Sequence, residues 1–100
     1  MTAYILSQEA RNDLREIKSY IAADNLEAAR RMIAEFRRAF RALARMPGMG
    51  HTRLDVTARP LRFWPVGSYL IIYQPRTRPL EIVAVLHGRR NVARILSERR

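Results

Sequence analysis

The spacing of apolar residues changes once along this hundred-residue chain, and that change restricts the folds open to it. Up to Met46 the period is helical. Ala10, Leu14, Ile17 and Ile21 recur at steps of four, three and four, and Ala29, Ile33, Phe36, Phe40 and Leu43 form a second stripe. From Leu61 onward the runs are short and strand-like: Leu61-Arg62-Phe63-Trp64, then Tyr69-Leu70-Ile71-Ile72-Tyr73, then Ile82-Val83-Ala84-Val85-Leu86. Two amphipathic helices followed by several strands bury their apolar faces most simply as a helical layer on a sheet.

Local signals place the boundaries. Ala3-Tyr4-Ile5-Leu6 reads as a first short strand, and Ser7 as a helix N-cap with Glu9 near the positive helix end. Arg11, Asn12, Arg15, Glu16, Lys18 and Ser19 occupy the polar side of that helix. Asp24-Asn25 stops it and caps a second, which Pro47-Gly48 ends; so short a link predicts an antiparallel hairpin. Residues 46–60 form a loop by composition. Pro65 is expected to break the strand begun at Leu61, with Val66-Gly67-Ser68 as a turn, and Pro75-Arg76-Thr77-Arg78-Pro79 makes the next one. Unbroken apolarity in the last two runs predicts central strands covered on more than one side. Asn91 caps a final helix carrying Val92, Ile95 and Leu96. The predicted order is β-α-α-β-β-β-α in one α+β domain spanning residues 1–100, an N-terminal strand and a helical hairpin on a mostly antiparallel sheet with a short C-terminal helix.

Charge divides the chain unevenly. The formal net charge is +10; the first 35 residues carry five basic side chains against six acids, whereas the rest hold fourteen arginines and only Asp55, Glu81 and Glu98. Lys18 is the only lysine. Guanidinium groups grip carboxylates and phosphates through paired hydrogen bonds, so the excess predicts an acidic partner. There is no cysteine, and His51 and His87 have no ligand spacing, so neither a metal nor a cofactor is expected. No apolar run approaches the ~20 residues of a membrane span, and the start Met1-Thr2-Ala3-Tyr4 lacks a leader's layout. The expected location is cytoplasmic.

Two kinds of chemistry fit the basic half. A metal-independent ribonuclease would draw its acid and base from His87, Tyr69, Tyr73 and Glu81, with Arg59 or Arg62 steadying a developing phosphorane charge. His87, followed by Gly88-Arg89-Arg90, with Arg62 on a neighbouring strand, is the set suited to cutting RNA. No carboxylate or lysine adjoins His87 to complete a pair, and its ring equally suits a structural place at a strand end. Binding alone asks for less: Phe63 and Trp64, with Met46 and Met49 at the helix exit, would line an apolar groove rimmed by Arg37, Arg41 and Arg45, suited to an extended acidic segment. The same residues also read as core with a solvated helix face.

Several blocks together carry a resemblance. Leu6-Ser7, Ala10, Asp13-Leu14, Glu16-Ile17, Tyr20-Ile21-Ala22, Asp24-Asn25 and Ala28-Ala29 open it. Pro47-Gly48-Met49-Gly50, Arg53, Asp55, Leu61-Arg62 and Pro65-Val66-Gly67-Ser68-Tyr69 continue it, and Val85-Leu86-His87-Gly88-Arg89-Arg90-Asn91 closes it. In order and over nearly the whole length, the chain resembles the ParE branch of the ParE/RelE toxins. Leu26 stands where a proline often follows Asp-Asn, and Asn91 where an aspartate is common; both can serve at a helix start. The resemblance implies the toxin of a type II toxin–antitoxin module that traps DNA gyrase on cleaved DNA. It implies neutralisation by an acidic ParD-type antitoxin in a hetero-oligomer of 2:2 or higher, with no sequence-specific DNA binding by the toxin. On this reading Arg59, Arg62, Arg89, Arg90 and Arg94 meet the target, and Arg37, Arg41, Arg45, Met49, Phe63 and Trp64 meet the antitoxin. The related RelE branch cuts ribosome-bound messenger RNA, which would cast Arg62 and His87 as catalytic. That set is incomplete here, because Lys18 is on the first helix and no tyrosine follows His87.

Overall fold

The computed structural model describes residues 3–99; Met1, Thr2 and Arg100 lie outside them. Strand β1 (Tyr4–Leu6) leads into α1 (Gln8–Ala22) and α2 (Leu26–Arg45), and a 3-10 turn (Pro47–Met49) follows. Then come β2 (Arg62–Val66), β3 (Tyr69–Gln74), β4 (Leu80–His87) and α3 (Val92–Glu98). The three expected caps are in place. Ser7 Oγ accepts from the Ala10 N–H at 3.0 Å, Asn25 Oδ1 from Ala28 at 3.0 Å and Asn91 Oδ1 from Arg94 at 3.1 Å. Each satisfies one amide that the first helical turn leaves without a partner.

The sheet order is β1-β4-β3-β2, with β1 parallel to β4 and the other two pairs antiparallel. Ile71, Tyr73, Ile82 and Val85 point to the face covered by the helical hairpin, where they meet Ile17, Phe36, Phe40 and Leu43. Ile72, Ala84 and Leu86 point to the opposite face, under Leu61, Phe63 and the α3 residues Val92 and Leu96. The runs Tyr69–Tyr73 and Ile82–Leu86 of the two inner strands are therefore unbroken in apolarity because both faces are covered, as their composition predicted. Alternation along β4 is reset by a bulge: Ile72 pairs with Ala84 and Tyr73 with Ile82, leaving Val83 extra. That one residue lets Ile82 and Val85 share a face.

Two boundaries differ from expectation, and each has a tertiary cause. Strand β2 runs through Pro65 to Val66, so the turn is only Gly67-Ser68, with Gly67 at φ +58°. Pro65 is tolerated because β2 is an edge strand, where half the backbone groups have no ladder partner for proline to remove. Strand β4 begins at Leu80 because parallel pairing with Tyr4–Leu6 draws Leu80 and Glu81 into the ladder. Past Ile82, β1 has ended and α1 covers the β4 edge. Val85 N–H, without a strand partner there, is accepted by Asp13 Oδ2 at 3.0 Å.

Candidate functional site

Arg62 and Tyr73 face each other across β2 and β3 and together fix the exit of α2. The Arg62 Nη1 donates to Gly50 O at 2.6 Å; Tyr73 Oη donates to Pro47 O at 2.6 Å and accepts from Gly50 N–H at 2.9 Å. Burial pushes the Tyr73 phenol above its ordinary value, opposed in part by the Gly50 N–H and the Arg62 charge. Gly50 is required for this approach, since a Cβ there would lie 2.6 Å from Tyr73 Oη and 2.9 Å from Phe63 O. His51 then exchanges backbone hydrogen bonds with Phe63 at 2.8 and 2.9 Å, which lays the loop along β2. Arg62 is thus committed to holding a turn.

His87 closes β4 at the other end. Its Nδ1 accepts from the Arg89 N–H at 3.0 Å, and its ring meets Tyr69 edge to face with centroids 5.2 Å apart. Arg62 pairs with Tyr73 and His87 with Tyr69, four residues apart on β3. That is about 13 Å along the strand, with β3 between the two. The fold does not bring the two candidate catalytic residues together. Beside His87 lies a groove of about 540 Å³ between α1 and the end of the sheet. Ile17, Tyr69 and Val85 line it, with Glu16, His87 and Arg90 also on its walls. Among the described residues no group of three or more His, Asp or Glu side chains could hold a metal ion, and no helix is long and apolar enough to cross a membrane.

A buried ion pair ties the end of the chain to its beginning. Arg99 grips both Asp13 oxygens at 2.8 and 2.9 Å, with Asp13 only 5% exposed. The hydrogen bond to Asp13 holds the Arg99 guanidinium proton more tightly than usual. Arg59 Nη1 in turn donates to Arg99 O at 3.3 Å.

The arginines expected at the target are therefore not one patch. Arg59 holds the chain end, Arg62 holds the 47–50 turn on the hairpin side, and Arg94 lies 3.6 Å from Glu98 in an exposed pair. Arg89 and Arg90 are exposed on the turn before α3 and form no ion pair among the described residues. On α2, Arg37, Arg41 and Arg45 are exposed at four-residue steps, one stripe on the helix surface. Met49 and Trp64 lie half-buried against the hairpin-side core, whereas Phe63 is 3% exposed in the core on the opposite face. Adjacent strand residues point to opposite sides, so Phe63 does not join Trp64 in one groove.

Residues 4–92 match the family described as the ParE toxin of the type II toxin–antitoxin system, parDE. The chain belongs to the ParE toxin family. Among solved structures it is similar to the chromosomal ParDE toxin–antitoxin system from P. aeruginosa, with a TM-score of 0.70 and 14% identity, over 87% of this chain and 96% of that one. At that identity the likeness is one of fold: strand, helical hairpin, three strands and a closing helix. No curated protein sequence matches the chain.

Within this ParE toxin, sequence reasoning missed two pairings. Asp13 falls on the apolar face between Ala10 and Ile17, and a carboxylate in such a stripe signals a buried partner; its partner lies 86 residues away. Arg53 and Asp55, isolated by composition, form a two-pronged pair at 3.0 and 2.9 Å. That pair holds the Asp55 carboxyl below, and the Arg53 guanidinium above, their ordinary values.

Proposed function

We propose that this ParE-family toxin stops replication by binding DNA gyrase and holding it on cleaved DNA, without cutting any substrate itself. The observation that carries the reading is the family match over residues 4–92. The separation of Arg62 from His87, each engaged in a local hydrogen bond, supports it, because acid–base cleavage needs both groups at one bond. Arg89 and Arg90, free of ion pairs among the described residues, are the proposed target contacts, with Arg94 beside them on α3. Arg59 and Arg62 act indirectly, by fixing the chain end and the 47–50 turn.

A ParD-type antitoxin neutralises the toxin in a cytoplasmic complex of 2:2 or higher. Its acidic segment is proposed to lie along Arg37, Arg41 and Arg45 and to reach Met49 and Trp64 at the end of α2. Charge complementarity supports this placement, since the segment would meet the cationic stripe in one run of chain.

The test is a supercoiling reaction. Pure protein added to gyrase and relaxed plasmid is expected to block supercoiling, and the Arg89→Ala/Arg90→Ala variant to need at least about tenfold more protein. Undiminished supercoiling at saturating protein would remove gyrase as the target.

A further inference from the structure

His87 ends β4, and the backbone N–H groups of both Arg89 and Arg90 terminate on it. The ring Nδ1 accepts from the Arg89 N–H and the His87 carbonyl from the Arg90 N–H, each at 3.0 Å. Gly88, between them, is tied down as well, since its N–H donates to Ser68 O at 2.8 Å. On the far side Asn91 caps α3, and Val92 is buried in the α3-side core. The segment that carries the two arginines is therefore clamped at both ends. Their side chains stay exposed and form no ion pair among the described residues.

A side-chain acceptor that reaches the amide two residues on is ordinarily supplied by asparagine or aspartate, in an Asx turn. Histidine does the same only with Nδ1 unprotonated, which puts the ring hydrogen on Nε2. The ring must also be held in the right plane. Tyr69, its cross-strand neighbour, meets it edge to face with centroids 5.2 Å apart, and Phe36 meets Tyr69 edge to face at 5.7 Å. A row of rings running out of the core thus orients the imidazole that sets the turn.

We propose that His87 is a positioning residue for target recognition: its Nδ1 holds the Arg89–Arg90 turn in the conformation that presents both guanidinium groups to the target. A segment fixed before docking loses little freedom on binding, so the acceptor contributes to affinity without touching the partner. The inference rests on the proposed reading of Arg89 and Arg90 as target contacts.

The experiment separates the acceptor from the ring. Asparagine places Oδ1 one bond from Cγ, as Nδ1 is, and has no ring; phenylalanine keeps the ring and has no acceptor. His87→Asn, His87→Phe and His87→Leu are compared with wild type for inhibition of gyrase supercoiling, growth arrest on expression, and hydrogen exchange at the Arg89 amide. His87→Asn is expected to stay within about twofold of the wild-type half-inhibitory concentration, and His87→Phe and His87→Leu to raise it at least about fivefold. Arg89 amide exchange should be at least about fivefold faster in those two than in wild type and His87→Asn. Because His87 acts through the arginines, His87→Phe should add less than about twofold to the loss in Arg89→Ala/Arg90→Ala. Cooperative thermal unfolding reports each fold as intact, and His87→Leu decides should His87→Phe not fold.

Inhibition that follows the ring, with His87→Phe like wild type and His87→Asn impaired, assigns His87 to packing and overturns the inference. Equal inhibition or equal Arg89 exchange across the series, or a full His87→Phe loss without the arginines, overturns it too, with the arginine reading left standing. Undiminished inhibition by Arg89→Ala/Arg90→Ala removes that reading and the inference together. If wild type arrests growth but leaves gyrase unaffected, the gyrase reading fails alone and the same ranking in growth arrest decides. No arrest by wild type overturns both.

Discussion

Asp13 shows how much one side chain can be asked to hold. Its carboxylate accepts from the Val85 backbone where β4 has outrun β1, and it takes both prongs of Arg99. Asp13→Ala leaves the guanidinium and a buried amide without a partner and should cost about 3–5 kcal/mol in denaturant unfolding. Arg99→Ala should cost less, because the Val85 N–H still solvates the carboxylate. In a double-mutant cycle the two losses should be strongly non-additive. Tyr73 makes a different prediction. Burial raises its folded-state pKa above the unfolded value near 10. Its contribution is therefore complete below pH 10 and is lost as pH rises through the folded value. The unfolding free energy should fall on that alkaline flank, and Tyr73→Phe should flatten the fall while costing about 1–3 kcal/mol at neutral pH. Local chemistry was legible at this scale: Ser7, Asn25 and Asn91 cap the helices they precede, because a cap reads only its next few residues. Asp13 was not, because nothing near it in the chain supplies the partner.

At the scale of elements, period and punctuation led to the right order of helices and strands. The errors lie where a neighbour in space decides the boundary. Pro65 reads as a strand breaker until the strand is known to be an edge, and β4 reads as starting at Ile82 until β1 is placed beside it. The groove expected from Phe63 and Trp64 had the same origin. Composition places both at one strand, but the pleat sends Phe63 to the α3 side and Trp64 to the hairpin side. The junction between α2 and β2 is testable at Gly50. Gly50→Ala sets a Cβ against Tyr73 Oη and Phe63 O and should destabilise the fold by about 1–3 kcal/mol. Adding Tyr73→Phe removes the closer of those oxygens, so the double variant should lose less than the sum of the two singles.

The whole molecule carries +10, with exposed arginines both on α2 and at the turn into α3. Exposed charge steers encounter and is screened by salt, and the antitoxin surface proposed on α2 presents exposed Arg37, Arg41 and Arg45, with Met49 and Trp64 half-buried. Antitoxin affinity should therefore drop by at least about tenfold between low and high ionic strength, mostly through a slower association rate. A flat salt response would move the antitoxin's main contact off α2. The basic excess itself was plain in the sequence. Its division was not, since Arg59, Arg62 and Arg99 look identical to Arg89 and Arg90 until the fold shows which are occupied by the protein's own oxygens. On the proposed function this surface seizes a protein and leaves nucleic-acid cleavage to that protein. The most direct measurement incubates one purified preparation with gyrase and plasmid, and in parallel with translating ribosomes. Gyrase-linked broken plasmid with intact messenger RNA is the predicted result; cut messenger RNA with no linked breaks would contradict it.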